Sequence, residues 1–226
     1  DIDAPYDLDK PSLDWYMSMQ LHVADLQEIN SDVLCWVYIP NTSVNYPVMQ
    51  EKWDAEHNNS RGDYLYEDIN NDYSIEGSLF VKAFPPTLPA EHNGHMTIFG
   101  HNMKNGSMFS TLTKYKKKDF FDQNPYVYLF YPDRTERWVV WTSSYITTSD
   151  DNPAPVYNTY LELGSDEYKN CIDSLYESRY YDTWVKNVGK NTRTLTLSTC
   201  DWSSGNHSGR LVVTAVKSKT LIWKGS

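Results

Sequence analysis

Two residues capable of joint chemistry stand ten positions apart near the end of the chain. Cys200 closes the run Thr196-Leu197-Ser198-Thr199-Cys200, and Arg210 opens Leu211-Val212-Val213-Thr214-Ala215-Val216. A thiolate attacks carbonyl carbon, and a fixed cation near a thiol favours the thiolate form. Residues 194–199 alternate polar and apolar, and 211–216 are rich in β-branched side chains, so both stretches predict strands. The intervening 201–209 (Asp, Trp, Ser, Ser, Gly, Asn, His, Ser, Gly) has the composition of a loop. If the two strands pair as an antiparallel hairpin, their ends meet, and thiol and guanidinium face one opening.

A cysteine nucleophile also needs a proton carrier and a group that stabilises the oxyanion. His101 follows Met96-Thr97-Ile98-Phe99-Gly100, an apolar strand ending in Gly, so it stands at a strand end as Cys200 does. Strand ends on one rim of a barrel converge, which makes the long separation in sequence no obstacle. His207, in the loop after Cys200, competes for the same role. His92 and His95 have a His-x-x-His spacing, but no cysteine or acidic pattern completes a metal site, and His95 is expected to open the strand. His22 and His57 read as surface or helix-face residues. No calcium-loop spacing occurs, and neither metal nor cofactor is expected.

The elements that must position these residues are mainly strands. Residues 10–30 read as a helix, with Leu13, Tyr16, Met17, Met19, Leu21, Val23, Leu26 and Ile29 loosely on one side. Eight strands are expected near 33–39, 44–49, 78–84, 95–100, 126–131, 136–147, 193–199 and 210–218. Turn residues lie between them, as at Pro40-Asn41, Asn70-Asn71-Asp72, Pro85-Pro86 and Pro132-Asp133. Residues 107–118 predict a short helix capped by Ser107. The connection 148–192 is too long for a hairpin loop. It starts irregularly, at Pro153 and Pro155, and then predicts a helix capped by Ser165, with Tyr168, Cys171, Ile172, Leu175 and Tyr176 as its apolar face. The expected fold is mainly β: a closed eight-stranded barrel with an N-terminal helical segment and a helix in the insertion before the cysteine strand.

Bulk properties agree with one globule. A chain of 226 residues accommodates one sizeable domain, and 15% aromatic content, with 18 Tyr and 8 Trp, suits a packed β-rich core. A formal charge of −10 argues against a nucleic-acid groove. The one basic cluster, Lys114-Tyr115-Lys116-Lys117-Lys118, reads first as a solvated helix end. Three cysteines (35, 171 and 200) make neither a disulfide framework nor a CxxC zinc pattern, and Cys35 and Cys171 read as buried apolar residues. No run is long enough to span a membrane. The chain starts at Asp1 with no Met, which implies an artificially trimmed chain or a processed ectodomain, with any signal or anchor upstream.

The run 196–200 followed by Arg210-Leu211-Val212-Val213 resembles the active-site signature of the sortases, cysteine transpeptidases of Gram-positive cell surfaces. Gly100-His101-Asn102 resembles their histidine motif, and the order His, Cys, Arg fits. Residues 41–50 (Asn, Thr, Ser, Val, Asn, Tyr, Pro, Val, Met, Gln) and Gly77-Ser78-Leu79-Phe80-Val81 are similar to class B segments, as are the N-terminal helix and the helix-bearing insertion. The resemblance runs from residue 10 onward; the stretch 149–163 departs from it. It implies a single catalytic domain over 1–226: an extension and helix to about 30, then a barrel over about 31–218 carrying the insertion at about 148–192.

It further implies a catalytic trio of His101, Cys200 and Arg210. Cys200 would cleave a C-terminal sorting motif of a secreted protein after its Thr, giving a thioacyl-enzyme. An amine of the peptidoglycan cross-bridge, presented on lipid II, would release the product; a pilin lysine is the alternative amine. His101 would protonate the leaving amine and deprotonate the incoming one. Arg210 would bind the substrate backbone or the oxyanion, with help from the backbone N–H after the nucleophile. Ser198 and Asp201 fall at groove-lining positions, and Tyr157 and Tyr160 are further candidates for substrate contact. The implied location is the outer face of a Gram-positive membrane. A non-catalytic surface-binding module is the competing reading, and it gives no reason to hold His101, Cys200 and Arg210 together.

Overall fold

The structure is a computed structural model that describes residues 13–148, 154–201 and 209–222. The strands are β1 (Val33–Tyr38), β2 (Asn45–Gln50), β3 (Trp53–Asp54), β4 (Asn59–Ser60), β5 (Leu79–Val81), β6 (His95–Phe99), β7 (Tyr126–Phe130), β8 (Arg134–Thr147), β9 (Thr194–Cys200) and β10 (Gly209–Ile222). Eight of them close a barrel in the order β1-β2-β5-β6-β9-β10-β8-β7, while β3 and β4 form a separate two-stranded ribbon. The expected eight-stranded barrel is therefore present.

Strand alternation explains the layers. On β9 and β10, Leu195, Leu197, Leu211, Val213 and Ala215 join Cys35, Val37, Ile98 and Val140 in the barrel interior. The opposite faces are buried too. Val212 and Val216 pack with Tyr168, Ile172 and Leu175 of α3 (Asp166–Glu177). β9 is thus enclosed on both sides, and its outward threonines need partners. Thr196 bonds Thr214 between hydroxyls at 2.9 Å, and the Tyr168 hydroxyl lies 2.9 Å from that of Thr194.

α1 (Leu13–Ile29) lies across β1 and β7, with Trp15 edge-on to Phe130 at 5.2 Å. Its apolar stripe is narrower than expected: Val23 is fully buried, but Leu21 and Ile29 are 65% and 66% exposed. α3 has the predicted cap, with Ser165 Oγ accepting from Tyr168 N at 3.0 Å. The helix expected over 107–118 is replaced by a 3-10 segment, Ser110–Lys116, and a short α2 (Lys118–Gln123). Ser107 does not cap it; its hydroxyl bonds Asn105 Oδ1 at 2.7 Å instead.

Candidate active site

The register between β9 and β10 fixes the first pair. Cys200 and Arg210 are direct cross-strand partners. The next rung outward is hydrogen-bonded, Asp201 N–H donating to Gly209 O at 3.0 Å. Cys200 and Arg210 therefore occupy the non-bonded rung of the antiparallel ladder, where facing side chains stand closest. Both are partly exposed. Arg210 Nη1 donates to Gly209 O at 3.0 Å, which holds the guanidinium along the strand end.

His101 comes to the same rim because β6 and β9 run parallel. Phe99 pairs with Ser198, and the ladder continues past the strand end: Gly100 N–H donates to Ser198 O at 3.1 Å, and Thr199 Oγ1 donates to Gly100 O at 2.8 Å. One residue further, Asn102 Nδ2 donates to Cys200 O at 2.9 Å. The backbone of His101 is thereby held level with that of Cys200. Gly100 has a packing reason to be glycine: a Cβ there would lie 2.8 Å from Phe109 Cδ2 and against Leu79. The His101 ring hydrogen-bonds through Nε2 to the carbonyl of Leu65 at 2.9 Å and sits 5.6 Å from the Tyr66 ring. His207 lies outside the described residues.

The four candidate substrate contacts divide. Ser198 is buried, and its hydroxyl lies 2.5 Å from that of Tyr157. Burial pushes the Tyr157 phenol up to about 12; the Ser198 bond and the Arg210 charge pull it down, while Cys200 pushes it up. Tyr157 thus sits in the electrostatic reach of both Cys200 and Arg210. Tyr160 instead packs at 5.5 Å from the Phe84 ring. Asp201 is buried, with its carboxylate taken by Lys116 Nζ at 2.7 Å. The basic cluster is accordingly not uniformly solvated: Lys116 turns inward to Asp201, while Lys118 pairs with Asp122 at 2.6 Å. The N–H that follows the nucleophile is engaged by Gly209 O rather than directed at an oxyanion position.

A cavity of about 330 Å³ runs beside Phe99 and Tyr157, past Thr97 and His95, toward the opposite end of the barrel. His95 is buried there, and burial pulls its imidazole down to about 4 against the raising effect of the Asn158 and Val156 carbonyls. Burial drives Cys35 well above the ordinary thiol range and Cys171 up to about 12, so neither offers a thiolate. Among the described residues, no three His, Cys, Asp or Glu side chains gather as a metal site requires.

Asn102 carried a signal as part of the Gly100-His101-Asn102 motif, while two other groups at the rim escape sequence reasoning. Lys116 and the Leu65 carbonyl carried none, since only tertiary contacts bring them to Asp201 and His101.

The barrel thus presents a thiol and a guanidinium paired across strand ends and a histidine just past the end of the neighbouring parallel strand, and its sequence places it in a class of cysteine transpeptidases. The family profile described as Sortase domain matches residues 37–218, and the chain belongs to the sortase family. It is similar to class B members. Sortase B of Listeria monocytogenes serovar 1/2a is 30% identical over 214 residues, covering 94% of this chain and 80% of the relative. The structure of Sortase B from Listeria monocytogenes superposes with a TM-score of 0.66 at 27% identity, over 86% of this chain and 99% of that one. A Staphylococcus aureus sortase B–substrate complex has a TM-score of 0.72 at 24% identity, covering 92% of this chain and 93% of that one, which speaks for the fold alone. Among the described residues no helix is long and apolar enough to cross a membrane.

Proposed function

We propose that this transpeptidase cleaves a C-terminal sorting motif after its threonine and joins the protein to an amine of the peptidoglycan cross-bridge. Cys200, His101 and Arg210 carry the reaction within one catalytic domain. The observation that carries this reading is the direct rung shared by Cys200 and Arg210, with His101 held level by the β6–β9 ladder.

Cys200 sulfur attacks the threonine carbonyl carbon, forming a C–S bond. Collapse of the tetrahedral species breaks the C–N bond, and the departing amine takes its proton from His101. The incoming ammonium gives one proton to solvent, and the resulting amine attacks the thioester while its second proton passes to His101. A new C–N bond forms, the C–S bond breaks, and sulfur leaves as thiolate. With Nε2 committed to Leu65 O, Nδ1 is the nitrogen left for exchange in the neutral ring. Arg210 supplies charge-assisted hydrogen bonds to the developing oxyanion, the more so because Asp201 N–H is occupied. Tyr157 and Ser198 wall the acyl side, and the cavity beyond them accommodates the residues that precede the threonine. Asp201 serves by holding the strand end to Lys116 rather than by touching the peptide.

The test is mass spectrometry of the enzyme with a sorting-motif peptide. A thioacyl adduct should form on the native chain and be absent from Cys200→Ala; an adduct on the mutant ends this reading. His101→Ala should lower the rate by at least ~10². If His207→Ala is the damaging change, the proton carrier is misassigned. Supplying a cross-bridge amine or purified pilin identifies the acceptor, and products formed only with pilin reject the cell-wall assignment.

A further inference from the structure

His101 is bordered by a surface that the acyl-transfer scheme leaves unused. Between β4 and β5 the chain makes a small hairpin. Ser74 N–H donates to Tyr66 O at 2.8 Å, Glu67 bridges Tyr73, and Asp68 N–H donates to Asp72 O at 2.9 Å. The turn is completed by Asn71 with φ 63, in the left-handed region that asparagine tolerates. The hairpin's turn is anchored by Asn30, whose Nδ2 donates to Ile69 O at 2.8 Å, and its base by Tyr64, whose OH donates to Asp32 at 2.9 Å. It is fastened to the loop after His101 as well, Glu76 Oε1 accepting from Asn105 Nδ2 at 2.9 Å. It is therefore a fixed wall beside the imidazole.

That wall is aromatic, exposed and acidic. Of the ten large apolar or aromatic side chains exposed among the described residues, four (Leu65, Tyr66, Tyr73 and Ile75) lie in this one segment, which marks it as an interaction surface. Tyr73 is 80% exposed and stacks on Tyr66, with centroids 6.5 Å apart. Tyr66 in turn lies against His101. Residues 64–78 carry Glu67, Asp68, Asp72 and Glu76 and no Lys, Arg or His. None of the four forms an ion pair among the described residues, whereas Asp63 just before them pairs with Arg61 at 3.0 Å.

We infer that this hairpin is the entry surface for the amine substrate, and that it selects an acceptor presented as an ammonium. Ring faces attract cations, and uncompensated carboxylates raise the local concentration of a positive ligand. In the scheme above the acyl peptide takes the side of Tyr157 and the cavity beyond it, so the second substrate must arrive from another side. The hairpin is continuous with the group that has to remove the amine's proton. This inference rests on the transpeptidase reading above and adds the route and the basis of selection: the acceptor's ammonium arrives across Tyr73 and Tyr66.

The experiment varies the amine at a fixed, saturating sorting-motif peptide. Two probes are compared, lysine amide as a cation and hydroxylamine as a nucleophile uncharged at neutral pH. Glu67→Gln/Asp72→Asn and Tyr73→Ala should each raise KM for lysine amide by about three- to tenfold, in line with surface charge and ring–cation contributions. KM for hydroxylamine and the rate of peptide hydrolysis without amine should stay at native values. Added salt should reduce the native preference for lysine amide and have little effect in the charge variant. Unchanged KM for lysine amide, or an equal rise for both probes, overturns the inference. A native enzyme that cleaves no sorting-motif peptide overturns the parent reading instead, so the two failures are distinguishable.

Discussion

Arg210→Lys separates two functions that one side chain performs. In the native chain the guanidinium stands on the same rung as the Cys200 thiol, with Nη1 fastened to Gly209 O at 3.0 Å. That anchor orients the remaining N–H groups across the strand ends. A lysine keeps the positive charge, but one ammonium cannot both hold Gly209 O and present a planar fork to the substrate. Losing one charge-assisted hydrogen bond in the transition state costs about 1.5–3 kcal/mol, or roughly 10- to 150-fold in kcat/KM. The N–H that follows the nucleophile does not compensate, because Asp201 N–H already serves Gly209 O. The rate of Cys200 alkylation at fixed pH responds to the neighbouring charge and should be nearly native in Arg210→Lys. Arg210→Ala should disturb both alkylation and turnover. Turnover of the Lys variant within threefold of native would refute the two-pronged role and leave Arg210 as a simple charge.

Two further outcomes follow from packing and burial. His95 has its folded pKa drawn from 6.5 down to about 4, so the unfolded chain binds a proton first as pH falls. Its contribution to stability is complete above pH 6.5 and is lost between there and about pH 4, a loss of roughly 3 kcal/mol. Urea unfolding at pH 7 and pH 5 should show a smaller acid loss in His95→Gln than in the native chain, and identical losses would contradict this. Gly100→Ala forces a methyl against Leu79 and Phe109 and should cost about 1–3 kcal/mol while displacing His101. A variant with native melting temperature and activity would show that the space is not closed.

The barrel was legible where alternation reports burial. β10 alternates interior Leu211 and Val213 with outward Val212 and Thr214, and its expected range differs from the observed one mainly by the extension to Ile222. The Ser165 cap was legible because the device is local. The 107–118 segment was not. Its residues supply helix-like composition, but Phe109, Leu112 and Tyr115 are pulled into the barrel end at a tighter period than an α-helix provides. Asn70-Asn71-Asp72 was readable as a turn, but where its hairpin sits depends on Asn30, Asp32 and Asn105, all distant in sequence. Asp201 read as groove-lining, whereas tertiary packing supplies it with Lys116.

The order His, Cys, Arg along the chain follows from strand direction. Parallel neighbours end on the same rim, so a residue just past β6 and one closing β9 arrive together however long the intervening chain is. An antiparallel neighbour begins on that rim, so the first residues of β10 arrive there too. The faces are as constrained as the levels. Leu195 and Leu197 point into the barrel, and Cys200 is outside only because its parity matches Ser198. A slip of one residue would turn the thiol into the core and bring Thr199 to the rim, while a slip of two would keep the face but move the sulfur by about 7 Å along the strand. The bonds that cross from residues 100 and 102 to 199 and 200 prevent both slips, which makes Thr199 and Asn102 as necessary to the arrangement as the groups that carry charge.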